Sequence, residues 1–233
     1  MQPMRGLIEL DVTEAREILA ADPSLSFSAF VVASVARAAA AHPEVHAYRD
    51  WRGRLVRHRY VDVATIVEVP TATGTFPLAH VLEDADTRRV DDLTAELRAV
   101  KADPSRSGAG RWLDRAAPAL ARVPGVVPAM YAVMGRSVTA RRRTGTVEVS
   151  AVGMFAGGGG FAIAPMAIAS LQVVVGGTSR RPWSLGHRVE LRDVLQLTVT
   201  IDHDIVDGAP AARFGAALRQ LIEGADVLRS ERT

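Results

Sequence analysis

The chain has 233 residues, a formal net charge of +2 and no cysteine. This length suits one large domain or two small ones. The missing cysteine excludes disulfides, thiolate metal sites and a thiol nucleophile. The small charge, and a basic run that contains no aromatic residue, argue against a nucleic-acid partner. The N-terminus has no signal pattern and Arg37 interrupts the longest apolar run, so we expect a cytoplasmic protein with no membrane partner.

The first hundred residues predict strands and helices in alternation. GLIELDV alternates like a strand, and Asp11 with Glu14 resembles a capping box that opens a short helix. Ser26 is the expected cap of a long buried helix. A hairpin turning near Gly53 should lead into a strand rich in β-branched residues, and a polar helix is expected from about Thr87 to Lys101.

The second half of the chain predicts three more strands and a final helix. Helical patterns between 112 and 143 are interrupted by prolines. Strand patterns follow in GTVEVSAV, SLQVVVGG and HRVELRDVLQLTVTI, the last of which is long enough for a central antiparallel strand. The final helix is expected to place Ala212, Gly215, Ala216 and Leu218 or Leu221 on one face. The glycine run at 157–160 lacks the lysine of a phosphate loop and favours a flexible loop, with pocket lining second. This mixed order favours an α+β sandwich with helices over one face of a mixed sheet.

One charged corner, TIDHDIVDG, joins the last strand to the last helix. Alternation puts His203 at the end of an apolar row formed by Val199 and Ile201. A histidine in such a place is most often a satisfied core residue. Here, however, Asp207 can cap the following helix and Gly208 permits a tight turn, so the imidazole would be held still, as acid–base chemistry requires. Too few ligands are in view for a metal site, and no metal is expected.

Several quoted segments resemble one enzyme family. DHDIVDG followed by AARF resembles the His-x-x-x-Asp-Gly signature of the acyltransferase core of 2-oxoacid dehydrogenase complexes, which is similar to that of chloramphenicol acetyltransferase. GTVEVSAVGMF resembles the family's strand with a serine or threonine before an apolar-Gly step, and SLQVVVGG with RRPW resembles the next strand and turn. SFSAFVVASVARAAAAHPEVHAY is similar to the family's early helix. Ser150 precedes His203 by 53 residues in this order, and the resemblance runs from about Gly6 to Leu228.

The resemblance implies a fold, an activity and residue roles. The fold would be that of chloramphenicol acetyltransferase, in a single catalytic domain spanning 1–233 without lipoyl or subunit-binding domains. The activity would be CoA-dependent acyl transfer to a thiol or hydroxyl acceptor, with lipoamide arriving in trans. His203 matches the general base, Ser150 the hydroxyl that stabilises the oxyanion, and Asp207 an architectural aspartate. Active sites would lie between the chains of a homotrimer, which could assemble further.

The phosphate end of coenzyme A is assigned from charge alone. Arginine-rich loops are the candidates, namely Arg141, Arg142, Arg143, Arg180 and Arg181.

One departure from the family pattern leaves an alternative open. Asp204 stands where the family usually has arginine, which puts a negative charge beside the histidine. A catalytically degenerate trimeric scaffold or acyl-CoA-binding protein therefore remains the alternative, and so does a detoxifying acetyltransferase with an alcohol acceptor. Retention of both Ser150 and His203 favours an active acyltransferase.

Overall fold

A six-stranded mixed sheet with helices on one face organises the chain. The computed structural model describes residues 2–71, 74–108, 143–151, 158–166 and 168–229, and the single positions 125, 129, 132 and 137. Within these residues the α-helices are α1 (Thr13–Ala21), α2 (Phe27–Ala41), α3 (Val90–Ala102), α4 (Gly208–Glu223) and α5 (Asp226–Arg229). The strands are β1 (Pro3–Asp11), β2 (Tyr48–Arg49), β3 (Leu55–Val56), β4 (Val63–Thr71), β5 (Gly74–Leu82), β6 (Val147–Ala151), β7 (Leu171–Leu185) and β8 (Arg188–Asp202).

The large sheet has the strand order β1-β8-β7-β6-β4-β5, while β2 and β3 form a separate hairpin. β6 runs parallel to both β4 and β7, and the remaining neighbours are antiparallel. β8 lies between β1 and β7, as expected for a long central antiparallel strand. Successive side chains on a strand point to opposite faces. The sheet therefore has two faces of different chemistry.

One face is apolar and is covered by helices. Val199 and Ile201 of β8, Val173 of β7 and Val149 of β6 join one buried cluster with residues of α2 and α4. β-branched residues suit this half-buried pleated surface. The predicted α+β sandwich with helices on one face is confirmed. In the part of the chain that is described, no helix is long and apolar enough to cross a membrane.

Two local predictions for helices need correction. At the start of α1 the N-cap residue is Val12, not Asp11, and no side-chain bond caps the helix. Asp11 instead accepts hydrogen bonds from the backbone and hydroxyl of Thr13, at 3.0 and 2.6 Å. The short Asx turn thus takes the place of the expected capping box. By contrast, Ser26 caps α2 as predicted and accepts from the Ala29 amide at 3.2 Å.

The buried face of α4 also differs from the prediction. Of the residues expected on one face, Leu218 is buried, but Ala212 and Ala216 are exposed. Phe214 and Ile222 complete the buried face. The larger apolar side chains remove more surface from water, so they decide which face docks on the sheet. The segment 112–143, for which interrupted helical patterns were noted, lies largely outside the described residues.

Candidate active site

His203 lies just beyond the end of β8, in the turn that leads to α4. The alternation predicted that His203 extends the buried apolar row. Its side chain is exposed instead. Its backbone amide donates to the Gln2 carbonyl at 2.8 Å, which ties the turn to the chain entering β1. The imidazole is thus presented to solvent from a backbone that is fixed on the neighbouring strand.

Asp202 holds this turn together. The residue is 3% exposed, and its carboxylate accepts from the amides of Gln2 at 2.9 Å and of Asp204 at 3.2 Å. Its carbonyl accepts from Ile205 and Val206, and its amide donates to the Ser170 carbonyl. Sequence reasoning quoted Asp202 but gave it no role. The sequence feature that could have pointed to Asp202 is its position: it is the last residue of the polar alternation in β8, on a face that is buried.

Asp207 fulfils only part of its predicted role as the cap of α4. It stands at the N-cap position of α4, as predicted, but its exposed side chain makes no capping hydrogen bond. The prediction that Asp207 fixes the corner by capping is therefore wrong for the chain as described. Gly208 is the first residue of α4. The corner is held by Asp202 instead, because that carboxylate is buried and accepts two backbone amides.

The β2–β3 hairpin contacts the same turn. The guanidinium of Arg49 donates to the Asp204 carbonyl at 3.3 Å and to the Gly53 carbonyl at 3.2 Å. Gly53 has a φ of 76°, so the hairpin does turn at this residue, as expected. This contact brings a positive charge to the turn that carries His203.

A buried aromatic stack includes Tyr48 of this hairpin, and the sequence did not reveal it. The rings of His46 and Tyr48 stack on His58, at centroid distances of 5.8 and 5.0 Å. Burial, reinforced by the charge of His58, lowers the pKa of His46 to about 4. His46 is thus a neutral side chain of the core at neutral pH.

Ser150 lies in the middle of the sheet, on the face opposite the helices. It belongs to β6, is 5% exposed, and pairs with Val174 of β7, which in turn pairs with Thr198 of β8. Its neighbour two residues earlier, Glu148, lies on the same face. Burial raises the pKa of the Glu148 carboxyl, and a hydrogen bond from Gln172 opposes this rise.

Ser150 and His203 of one chain are far apart. His203 follows Thr198 by five residues, the first four of which complete β8. At the ordinary rise per residue this is about 16 Å along the strand, and two strand spacings add about 10 Å sideways, so the Cα atoms are about 19 Å apart. A reacting carbonyl must lie about 3 Å from both the base and the oxyanion donor. One chain alone does not bring these two groups together at one reacting atom.

The arginines predicted to bind coenzyme A are also dispersed. Arg141 and Arg142 lie outside the described residues, whereas Arg143 and Arg180 are exposed. Arg181 forms an ion pair with Glu9 at 2.9 Å.

Arg180 and Arg181 of β7 lie far from His203 of their own chain. Arg180 pairs with Asp193, ten residues before His203. This corresponds to about 30 Å along the strand. Within the described residues there is no group of three or more metal-ligating side chains placed to hold a metal ion.

Two described residues of the glycine run, Gly159 and Gly160, pack closely against β7 and β8. The Gly160 amide donates to Gln196 Oε1 at 2.8 Å, and the Gly160 carbonyl accepts from Gly177 at 2.8 Å. A Cβ on Gly177 would lie 2.5 Å from the Cα of Gly159. Gly177 lies in a bulge of β7, where the register with β8 shifts. The expectation of a flexible loop is thus corrected for 159–160, because the backbones of Gly159 and Gly177 meet without side chains between them.

Comparison with known proteins bears on the predicted resemblance. Residues 136–229 match the model of the 2-oxoacid dehydrogenases acyltransferase (catalytic domain). The predicted resemblance is thereby confirmed.

A curated relative and two solved structures extend the likeness over nearly the whole chain. The chain is 25% identical over 221 residues to the dihydrolipoyllysine-residue acetyltransferase component of the pyruvate dehydrogenase complex of Zymomonas mobilis, an alignment that covers 94% of this chain and 42% of the relative. The chain thus spans less than half of this relative's length.

The solved structures confirm the fold. Dihydrolipoamide acetyltransferase of Azotobacter vinelandii superposes with a TM-score of 0.72 at 18% identity, covering 97% of this chain and 83% of that one. Chloramphenicol acetyltransferase superposes with a TM-score of 0.58 at 17% identity, covering 94% and 88%. The fold is therefore that of the chloramphenicol acetyltransferase-like acyltransferase cores, as the resemblance implied.

Proposed function

We propose that the chain is a CoA-dependent acyltransferase that moves an acyl group between coenzyme A and a thiol or hydroxyl acceptor. The observation that carries this proposal is the exposed His203, presented by a turn fixed on β1 and placed within the segment that matches the acyltransferase family. Neutral imidazole has a pKa suited to removing a proton near pH 7.

The proposed step is a direct transfer. His203 takes the proton of the acceptor thiol or hydroxyl while the sulfur or oxygen attacks the thioester carbonyl. The carbonyl oxygen becomes an oxyanion, to which the Ser150 hydroxyl donates a hydrogen bond. The intermediate collapses with loss of the coenzyme A thiolate, which takes the proton back from the imidazolium. One oxyanion donor of this kind contributes about 3 kcal/mol to lowering the barrier.

The proposed site is shared between two copies of the chain. The separation of about 19 Å between Ser150 and His203 in one chain supports this, because strand geometry does not allow both to reach one carbonyl. A trimer would give each site a histidine from one chain and a serine from the next, as the family resemblance implies. In the Azotobacter protein a serine, a histidine and an asparagine were investigated in the catalytic mechanism, with the asparagine four residues after the histidine. Asp207 holds that spacing here.

Coenzyme A and a lipoyl group supplied in trans are the proposed substrates. The exposed Arg143 and Arg180 are the described arginines best placed to meet phosphate groups, since Arg181 is already paired with Glu9. Because Arg180 lies far from His203 of its own chain, a role for it requires a site between copies. Calorimetric titration with acetyl-CoA tests this proposal. If Arg143→Ala and Arg180→Ala bind acetyl-CoA as tightly as wild type, these arginines do not contact its phosphates.

Mixing two inactive variants tests the shared site. His203→Ala should lower turnover by several orders of magnitude, and Ser150→Ala by about a hundredfold, the loss expected for one oxyanion donor. After subunit exchange between the two variants, some sites combine an intact His203 with an intact Ser150, so acyl transfer should partly recover. Light scattering and native mass spectrometry would verify assembly and exchange. Unchanged turnover in His203→Ala would reject the enzyme proposal, whereas no recovery after proven exchange would reject only the shared site.

A further inference from the structure

A row of residues leads from Ser150 to the edge of the large sheet. β6 runs parallel to β4, and Ala64 of β4 pairs with Glu148 of β6. Ile66 and Ser150 each follow this pair by two positions, so they point to the same face from adjacent strands. Ile66 pairs in turn with Ala79 of β5, the edge strand. The row of Ser150, Ile66 and Ala79 therefore crosses three strands on the face opposite the helices.

The exposed flank of Ser150 lies over β4. Val174, the partner of Ser150 on β7, is 1% exposed. Ile66, the neighbour of Ser150 on β4, is 46% exposed, and Ala79 is exposed as well. Strands in a sheet are about 4.8 Å apart, so the Ile66 side chain borders Ser150 directly. Of these two flanks, that of Ile66 is the one a substrate can contact.

The proposed reaction fixes where the acyl chain begins. A donating hydroxyl lies about 2.8 Å from the oxygen that accepts, and the C=O bond adds about 1.2 Å. The carbonyl carbon is thus no more than about 4 Å from Ser150 Oγ, which is less than one strand spacing. The carbon chain attached to that carbonyl is then within reach of the Ile66 side chain.

The row beyond Ser150 is apolar as far as the edge strand. Ile66 and Ala79 have hydrocarbon side chains, and so have Pro77 and Val81, which flank Ala79 on the same face of β5. The distance from Ser150 to β5 is two strand spacings, about 10 Å, which an acetyl group does not span. Each methylene that such a surface removes from water strengthens binding by up to about fourfold.

We propose that Ile66 and Ala79 form a subsite that binds the acyl chain of the thioester. This inference rests on the proposed acyl transfer. The thioester carbonyl lies at Ser150, the first carbons of the chain pack on Ile66, and a longer chain reaches Ala79 at the edge of the sheet. The preferred donor is then a medium-chain acyl-CoA, such as butyryl- or octanoyl-CoA, rather than acetyl-CoA.

A series of acyl-CoA donors tests the subsite. With dihydrolipoamide as acceptor, kcat/KM of wild type should rise from acetyl- through butyryl- to octanoyl-CoA, by up to about fourfold for each methylene buried. Ile66→Thr keeps a branched side chain suited to a strand and should lower the octanoyl-to-acetyl ratio about 3- to 10-fold. Ala79→Asp should lower the same ratio, because the carboxylate would be desolvated by the end of the chain.

Phe76→Ala is the matched control. Phe76 is 45% exposed, as Ile66 nearly is, but it pairs with Val69, which packs with Val100 of α3. Phe76 therefore lies on the helix face of the sheet, and its removal should leave the octanoyl-to-acetyl ratio unchanged.

Three outcomes would overturn the inference. Acetyl-CoA as the best donor for wild type would show that no acyl chain binds along the row. Equal octanoyl-to-acetyl ratios in wild type and Ile66→Thr would place the chain elsewhere. A changed oligomeric state of Ile66→Thr in native mass spectrometry would assign Ile66 to a contact between copies instead.

Calorimetry separates failure of the inference from failure of the proposed function. If wild type transfers an acyl group from none of these donors, the proposed transfer to lipoamide fails. Titration with octanoyl-CoA and acetyl-CoA still decides the subsite. Tighter binding of octanoyl-CoA that Ile66→Thr weakens supports it, whereas equal binding of the two thioesters, or no binding, overturns it.

Discussion

Replacing Asp202 should loosen both the entry of the chain into β1 and the turn that carries His203. The Asp202 carboxylate accepts the amides of Gln2 and Asp204, at 2.9 and 3.2 Å, through the same oxygen. A hydrogen bond to a charged group contributes about 1.5–3 kcal/mol. Because Gln2 and Asp204 are themselves exposed, water can replace part of each bond in Asp202→Ala. We therefore expect a loss of about 2–3 kcal/mol in the free energy of unfolding.

The isosteric variant sharpens this prediction. Asp202→Asn keeps an oxygen in the same place, so a loss of about 1 kcal/mol is expected, in line with neutral hydrogen bonds. Acyl transfer should fall more than stability implies, by about 10- to 100-fold in kcat for Asp202→Ala, because a base displaced by about 1 Å loses rate on this scale.

Urea denaturation and steady-state acyl transfer measure the two effects. Glu17→Ala, an exposed carboxylate on α1, is the control and should change the free energy of unfolding by less than about 0.5 kcal/mol. If Asp202→Ala unfolds at the wild-type urea concentration and turns over at the wild-type rate, Asp202 does not hold the turn and the reasoning fails.

Three further predictions concern other parts of the fold. The pKa of His46 is about 4 in the folded chain and 6.5 when unperturbed, so the unfolded chain binds the proton first as pH falls. The stabilisation of the folded state by neutral His46 is therefore complete above pH 6.5 and should decline by about 3 kcal/mol towards pH 4. Urea titrations across this range should show a slope that His46→Phe flattens, and an equal slope in the variant would assign the effect elsewhere. Gly177→Ala should lower the free energy of unfolding by about 1–3 kcal/mol, because its Cβ would meet backbone at 2.5 Å. Gly215→Ala, with open space at its Cβ in α4, should instead raise it by up to about 1 kcal/mol, and thermal melts that rank the two alike would contradict the packing argument. Asp207→Asn should change the melting temperature by no more than a few degrees, since the exposed carboxylate makes no capping bond; a large drop in a melt would show that a neighbouring copy binds it.

Periodicity predicted the sheet well because the sequence carries that information locally. The alternation of β8 assigned Val199 and Ile201 to the apolar face, and the register confirms that Thr198 and Thr200 lie on the other. The cap at Ser26 was equally local, since a serine at the start of an apolar helical pattern indicates an N-cap that accepts from an amide three residues later. Family resemblance, rather than any pattern, supplied the pairing of Ser150 with His203.

Features that depend on long-range contacts could not be predicted. The role of Asp202 requires Gln2, which is 200 positions away in sequence, and nothing near Asp202 indicates that partner. The burial of Glu148 and Gln172 depends on which strands flank β6. Close approach of Gly160 to Gly177 likewise follows from the path of the chain, so a glycine run that suggested flexibility turns out to be packed.

The pairing of β1 with β8 has a consequence for the order in which the protein folds during synthesis. Leu10 pairs with Leu195, so the first strand leaves the ribosome long before its partner exists. At ordinary elongation rates the delay is on the order of 10 to 40 s, during which one edge of β1 has no strand to bond. An unpaired strand edge is an aggregation hazard, and chaperone binding to the nascent chain should therefore concentrate before residue 195 is made. Because the turn at His203 is fixed on Gln2, the histidine reaches its final position only when this last pairing closes.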